Sequence, residues 1–380
     1  MEDSTASTHN TASTHNTASA GKGDVAIAAR CKEIEVASPS RKYSVYVGNR
    51  CVDKISGIIP EDARQVVVVT QREIEIELDL GREYSTVFVS QGEEAKSVKS
   101  LERVCKSFVE CGLTRRGVVI ALGGGVVTDL AGFAASIYHR GVPCINVSTS
   151  LIGQVDAAIG GKTGINLEEG KNLIGTFSQP LGVICDISHL ESLPQLEMLS
   201  GYGEIAKYAL LGLDNLEKYS LEEQVAKCVY LKASIVSEDE LEQTGKRAVL
   251  NYGHTLGHAI EACSLLGSSQ TDMENQPIRH GVAVGIGLIF AGKLAHRLGR
   301  IDDARLARHY EVVRNYGLME SIPKEIEPDE LVQFMANDKK SMFAKGDGLN
   351  FVLDGEKGVE LVTGIDTKLV RGLLEEMYSR

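Results

Sequence analysis

The residues with most chemical promise are the histidines of Asn251-Tyr252-Gly253-His254-Thr255-Leu256-Gly257-His258. His254 and His258 stand at i and i+4, so on a helix both imidazoles leave one face, as two metal ligands or as one ligand beside an acid/base group. Core histidines satisfied by hydrogen bonds would share that spacing. The zincin motif is absent, because Thr255 rather than Glu follows His254. Glu204 and His280 are further candidate ligands, and a His/His/carboxylate set with an open position suits a catalytic divalent zinc.

Two glycine-rich runs come next. Gly123-Gly124-Gly125-Val126-Val127-Thr128-Asp129 follows the apolar run VVIAL and opens a helical pattern. Glycines there let a backbone approach a pyrophosphate at a helix N-terminus, although the run is not a GxGxxG fingerprint and a tight structural turn would read the same way. Gly160-Gly161-Lys162-Thr163-Gly164 superficially resembles a P-loop, but Asp156 stands where GxxxxGK[ST] needs a glycine, which excludes an ATPase reading. Cations cluster near glycine or polar turns at Arg140, Lys162, Lys171, Lys207, Lys232, Arg247 and the Lys339-Lys340 pair. Most surface lysines are simply solvated. Lys162 and Lys171, in glycine-bounded loops with few neighbouring charges, are the natural phosphate or carboxylate binders.

The elements that must position these residues divide in two. Between Tyr43 and Thr149, short β-branched runs (66–70, 87–90, 118–122 and 144–147) alternate with amphipathic stretches such as 97–111. That pattern predicts a doubly wound, Rossmann-like α/β domain with ligands at the carboxyl ends of its strands. Beyond about Leu193 helical patterns dominate, at 204–211, 221–237, 250–265, 281–298, 302–316 and 329–336, with a small strand or hairpin at LNFVL, 349–353. The expected organisation is a low-complexity tail over 1–24, an α/β domain over 25–193 and a mostly α-helical domain over 194–380. The tail repeats TASTHN twice, offers little to bury and reads as disordered.

The whole chain bounds the function class. It has 380 residues and a formal net charge of −12, which argues against nucleic acid or an anionic membrane as partner. It shows neither a secretory signal nor a long apolar span. The eight cysteines lack CxxC spacing and mostly sit in apolar stretches, which predicts reduced thiols and a cytoplasmic location.

Taken in order, GEEAK, GGGVVTDLAGF, RGVP, VDAAIGGKTGIN, GKNLIGTFSQP, GYGEIAK, LNYGHTLGHAIE, RHG and NDKK resemble the 3-dehydroquinate synthase family, a branch of the sugar phosphate cyclases, from about Tyr43 onward. The resemblance implies zinc (or cobalt) on Glu204, His254 and His280. It implies NAD contacts at Gly124, Gly125, Val126, Asp129, Thr149 and Ser150, joined by Glu93, Lys96, Lys162 and Lys171. Asp156, Lys162, Lys171, Asn172, Lys207, Lys232, Arg247, Asn251, His258 and Lys339 or Lys340 fall in the substrate pocket, with Lys162, Lys207, Asn251 and His258 nearest the chemistry. Arg140 matches a residue that reaches the phosphate of a neighbouring subunit, which implies a homodimer.

The implied reaction turns a phosphorylated sugar acid, 3-deoxy-D-arabino-heptulosonate 7-phosphate, into 3-dehydroquinate. A ring alcohol is oxidised by NAD, phosphate is eliminated, the ketone is reduced again, and the opened ring closes by an intramolecular aldol step. Aminodehydroquinate synthase, a sedoheptulose 7-phosphate cyclase and a non-catalytic NAD- or metal-binding regulator are the competing readings. GGKTGIN, GKNLIG and Arg247 favour a carboxylate-bearing substrate. Three departures stand out: Gln71 replaces an acidic residue expected for the adenosine ribose, DELEQTGKR is one residue longer than usual, and 264–277 looks like an inserted loop.

Overall fold

The computed structural model describes residues 31–265, 277–338 and 348–378. The low-complexity tail, Lys339, Lys340 and most of the 264–277 insertion lie outside them. Seven strands form the main sheet: β1 (Lys32–Ala37), β2 (Lys42–Gly48), β3 (Val66–Gln71), β4 (Ser85–Val89), β5 (Val118–Gly123), β6 (Cys144–Ser148) and β9 (Gly182–Asp186). Their order is β1-β2-β9-β6-β5-β3-β4. β1 and β2 pair antiparallel and every other neighbour is parallel. From β3 the chain goes outward to β4 and then returns past β3 to β5, so the strand order reverses between β3 and β5, where an α/β sheet opens a ligand crevice.

The valine runs form strands because both faces are covered. Val67, Val69, Val119 and Ala121 pack toward α2 (Val98–Glu110) and α3 (Gly125–Ile137). Val66, Val68, Val118 and Ile120 meet the short α1 (Ile55–Ile58) and the extended stretch carrying Leu78 and Leu80. α2 begins where Ser97 Oγ accepts a hydrogen bond from Ser100 N at 3.3 Å.

The helical part comprises α4 (Gln195–Leu210), α5 (Leu221–Glu238), α6 (His254–Leu265), α7 (His280–Arg297), α8 (Asp303–Asn315), α9 (Pro328–Asp338) and α10 (Thr367–Glu375). A small antiparallel pair, β10 (Leu349–Leu353) with β11 (Glu360–Ile365), joins them. One core runs from these helices to the β1-β2-β9 edge of the sheet, through Val45, Val47, Val183 and Cys185. Among the described residues no helix is long and apolar enough to cross a membrane.

Three expectations change. GGKTGIN and GKNLIG are not loops but the antiparallel hairpin β7 (Lys162–Leu167) and β8 (Gly170–Phe177). Its glycines serve close approach of the two strands, since a Cβ on Gly175 would lie 2.1 Å from the Thr163 carbonyl and one on Gly164 2.7 Å from that of Ile174. The helix expected over 250–265 begins only at His254, after a 3-10 turn (Lys246–Asn251) and Gly253 at φ 78°. Cys31 and Cys51 are joined in a disulfide rather than reduced, because the antiparallel pairing of β1 and β2 brings the ends of that hairpin together. The other six cysteines are free thiols, four of them buried.

Candidate active site

Glu204 on α4, His254 at the start of α6 and His280 at the start of α7 present ligand atoms within 4.8 Å of one another. Glycine brings the three helices this close. A Cβ on Gly203 would stand 2.0 Å from the Gly281 carbonyl, and one on Gly281 only 1.7 Å from that of Ser200, so α4 and α7 touch backbone to backbone. Gly287 meets the Gly253 carbonyl in the same way, and Gly257 lies against Val284. These contacts flank the three ligands along the chain.

The donor set fits a divalent cation. His254 Nδ1 is 3.1 Å from the Tyr252 carbonyl and His280 Nδ1 is 3.1 Å from Glu261 Oε2, so each ring donates on its far side and turns Nε2 toward Glu204 Oε1, at 3.5 and 3.1 Å. Burial works against the Glu204 carboxylate, but Lys207 and His254 outweigh it and hold its pKa well below the ordinary glutamate value. Burial lowers His254 to about 4. Burial works against a charged His280, but the hydrogen bonds its ring donates to the Glu204 and Glu261 carboxylates outweigh that and raise it to about 10. His258 is exposed on the same helix face, its ring 5.3 Å from that of His254 and 5.7 Å from that of His280, and it stands outside the ligand cluster.

Cations adjoin the ligands. Lys207, fully buried, pairs with Glu204 and lies 3.8 Å from Asp156 Oδ1. Lys232 donates to the Asp156 carboxylate and, at 2.6 Å, to its carbonyl; the Tyr208 hydroxyl adds a bond at 3.2 Å. Despite burial, Lys207 and Lys232 hold the Asp156 carboxyl down at about 2. Burial brings Lys232 down to about 8.

The glycine turn lies beside this cluster: a Cβ on Gly125 would stand 3.2 Å from that of Ala157, the residue after Asp156. Gly123 ends β5, its carbonyl takes Thr149 N at 3.1 Å, and Gly124 lies so near Ser150 that a Cβ would be 3.0 Å from Oγ. Gly125 and Val126 open α3, with Asp129 one turn on. Asp129 pairs with Lys96 at 2.7 Å, and Lys96 also meets Glu93 at 3.3 Å and the Asn172 side chain. Burial raises the Asp129 carboxyl to about 6 against the pull of Lys96. Asn166 completes this cluster: its Nδ2 bonds Glu93 at 2.9 Å, its Oδ1 takes Asn172 N at 2.8 Å, and its backbone N reaches the Lys96 carbonyl. Sequence reasoning passed over Asn166, and only its place in GKTGIN gave a signal.

Other expected residues lie differently. Lys162 pairs with Glu242 at 2.5 Å, and Lys171 pairs with Glu261 at 2.6 Å. The buried Arg247 guanidinium reaches the Glu240 carbonyl at 2.6 Å, the Gly160 carbonyl at 3.0 Å and Glu242 at 3.5 Å. Asn251 is exposed at the end of its 3-10 turn. Arg140 is exposed beyond the C-terminus of the 13-residue α3, about 20 Å along that helix from the glycine turn.

The family profile described as 3-dehydroquinate synthase N-terminal matches residues 86–200, and the one described as 3-dehydroquinate synthase C-terminal matches 201–341. The chain belongs to the 3-dehydroquinate synthase family. It is 42% identical over 349 residues to a candidate aminodehydroquinate synthase of Amycolatopsis mediterranei, covering 90% of this chain and 94% of that one. A 3-dehydroquinate synthase of Desulforamulus reducens is 35% identical over 350 residues, with 86% and 94% covered. Two solved sugar phosphate cyclases share the fold. A 2-deoxy-scyllo-inosose synthase complexed with carbaglucose-6-phosphate, NAD+ and Co2+ superposes at TM-score 0.80 and 25% identity, covering 91% of this chain and all of that one. The 2-epi-5-epi-valiolone synthase of Streptomyces hygroscopicus, with NAD+ and Zn2+ bound, gives 0.72 and 25%, covering 88% and 96%.

Proposed function

We propose that the chain is a homodimeric 3-dehydroquinate synthase of the shikimate pathway, converting 3-deoxy-D-arabino-heptulosonate 7-phosphate to 3-dehydroquinate and phosphate. The observation that carries this reading is Lys207, whose ammonium lies between Glu204 of the ligand set and Asp156 of the cation cluster. The ligand set and the anion-binding cluster therefore adjoin, and the glycine turn that would hold the redox cofactor approaches them where Gly125 meets Ala157, the residue after Asp156. When bound, NAD would supply a reversible hydride acceptor, and a zinc or cobalt ion on Glu204, His254 and His280 would supply Lewis acidity toward the sugar oxygens.

The protein's own groups would divide the remaining work. Gly124, Gly125 and Val126 offer a helix N-terminus to a pyrophosphate, with Lys96, Asp129, Thr149 and Ser150 beside it. His254, neutral at pH 7, keeps its Nε2 lone pair for a cation. Lys207 and Lys232, gathered at Asp156, would orient the anionic substrate, and Lys162 and Lys171 would bring charge from the hairpin. His258, exposed beside the ligands, is placed to pass protons between substrate and solvent. Arg140 would act in the neighbouring subunit's pocket.

A second reading, aminodehydroquinate synthase, is favoured by the 42% identity to the Amycolatopsis protein, and its substrate likewise carries phosphate and carboxylate. The deciding experiment supplies the purified chain with NAD and zinc, offers each heptulosonate phosphate and sedoheptulose 7-phosphate separately, and identifies products by mass and NMR. Phosphate release with 3-dehydroquinate from the hydroxyl substrate supports the first reading. Turnover of the amino substrate alone moves the assignment to the second, and turnover of sedoheptulose 7-phosphate alone rejects both.

A further inference from the structure

Glu261 joins the two halves of the molecule, and nothing in the ligand set or the cation cluster accounts for it. It lies on α6, two turns after His254, and its side chain is largely buried. Its two carboxylate oxygens are divided between two elements. Oε2 is 3.1 Å from His280 Nδ1 on α7, and Oε1 takes the Lys171 ammonium at 2.6 Å from β8 of the hairpin. The hairpin in turn is fixed to the α/β part, because Asn172 and Asn166 bind the Lys96 and Glu93 cluster, and Thr163 packs so tightly on α3 that a Cβ on Gly132 would lie 2.6 Å from its Cγ2.

An imidazole that donates Nδ1–H to a carboxylate has one tautomer and one ring orientation, with its Nε2 lone pair free for a metal. We propose that Glu261 is a positioning residue for the metal centre and that Lys171 holds it in place, so that the hairpin of the α/β part sets how tightly a divalent cation binds to Glu204, His254 and His280. The inference rests on the metal site of the preceding section. Two effects of Lys171 oppose each other. As a positive charge near a cation it would weaken metal binding, whereas as the anchor of Glu261 it strengthens it. Positioning therefore predicts the opposite sign from simple electrostatics for the loss of Lys171.

The test measures Zn2+ affinity of the full chain by competition with a chromophoric chelator, and the visible absorption of the Co2+-loaded protein. Wild type is compared with Glu261→Ala, Glu261→Gln, Lys171→Met and the Lys171→Met/Glu261→Ala double variant. Glu261→Ala should weaken binding roughly 10- to 100-fold and alter the Co2+ spectrum. Glu261→Gln, whose amide oxygen still accepts from Nδ1, should restore part of the loss. Lys171→Met should weaken binding by about threefold alone, and by nothing further once Glu261 is gone. Wild-type affinity in Glu261→Ala, or tighter binding in Lys171→Met, overturns the proposal. Glu204→Ala serves as reference: if it too keeps full affinity, the metal site itself is wrong, whereas loss there with none in Glu261→Ala rejects only the positioning role. Circular dichroism of each variant separates misfolding from loss of the site, and a folded Glu261→Gln decides the matter if Glu261→Ala does not fold.

Discussion

The helical and the α/β sides of the proposed site are held by different forces. On the helical side, α4, α6 and α7 meet through backbone contacts at Gly203, Gly281, Gly253 and Gly287, and the ligands are side chains next to those contacts. On the α/β side, Glu93, Lys96, Asp129, Asn166 and Asn172 are held by ion pairs and hydrogen bonds around a glycine turn. Close-packed backbone has no room to adjust, while a polar cluster can exchange partners with an incoming ligand. The helical side is thus suited to fixed coordination, and the α/β side to a cofactor that must bind.

Breaking the helical side should have the largest effect. Gly281→Ala places a methyl group against the Ser200 carbonyl and should cost about 3 kcal/mol of unfolding free energy, the upper end of the usual overpacking range, read by urea titration. A wild-type midpoint would show that α4 and α7 can separate without cost and would remove the contrast. On the cation side, Lys232 loses its charge above about pH 8. The substrate KM should therefore rise severalfold between pH 7 and 9, and Lys232→Met should raise KM at pH 7 and flatten that profile. The smallest effect belongs to the α/β side. Burial raises the Asp129 carboxyl to about 6 from an ordinary 3.8, so its contribution to stability is fully present below that ordinary value and is lost as pH rises through about 6. Urea unfolding from pH 4 to 7 should show wild type losing stability relative to Asp129→Asn over that window. Parallel curves would mean that Lys96 neutralises Asp129 completely.

Legibility in the sequence followed how directly a residue type reports its surroundings. The valine runs of β3 and β5 are unambiguous, because strands buried on both faces need continuous apolar residues. The edge strand β1 and its neighbour β2 mix lysines, glutamates and a serine with their apolar residues and gave no such signal. The hairpin β7-β8 was hidden because glycine marks a turn as readily as it permits close approach of strands. The six windows beyond Leu193 each overlap a helix, although 204–211 catches only the end of α4 (Gln195–Leu210) and Gly253 delays the start of α6. In the site, His254 announced itself through its i, i+4 partner, yet the side chains whose ligand atoms converge with it in space are those of Glu204 and His280 rather than His258. Family likeness separated those choices where spacing did not. Glu261 and Asn166 stayed unread, because an acidic residue on a helix and an amide in a glycine-rich strand look like solvated surface until their partners are seen.

Metal content tests the central claim, that one pocket joins a metal centre on the helices to a dinucleotide turn on the sheet. Wild type, Glu204→Ala, His254→Ala and His280→Ala are each dialysed with zinc and then against buffer, and bound metal is counted per chain by atomic emission alongside NAD affinity. One ion in wild type, none in the three variants and an NAD affinity changed less than about tenfold would bear the account out. Full zinc occupancy in any of the three variants would contradict it.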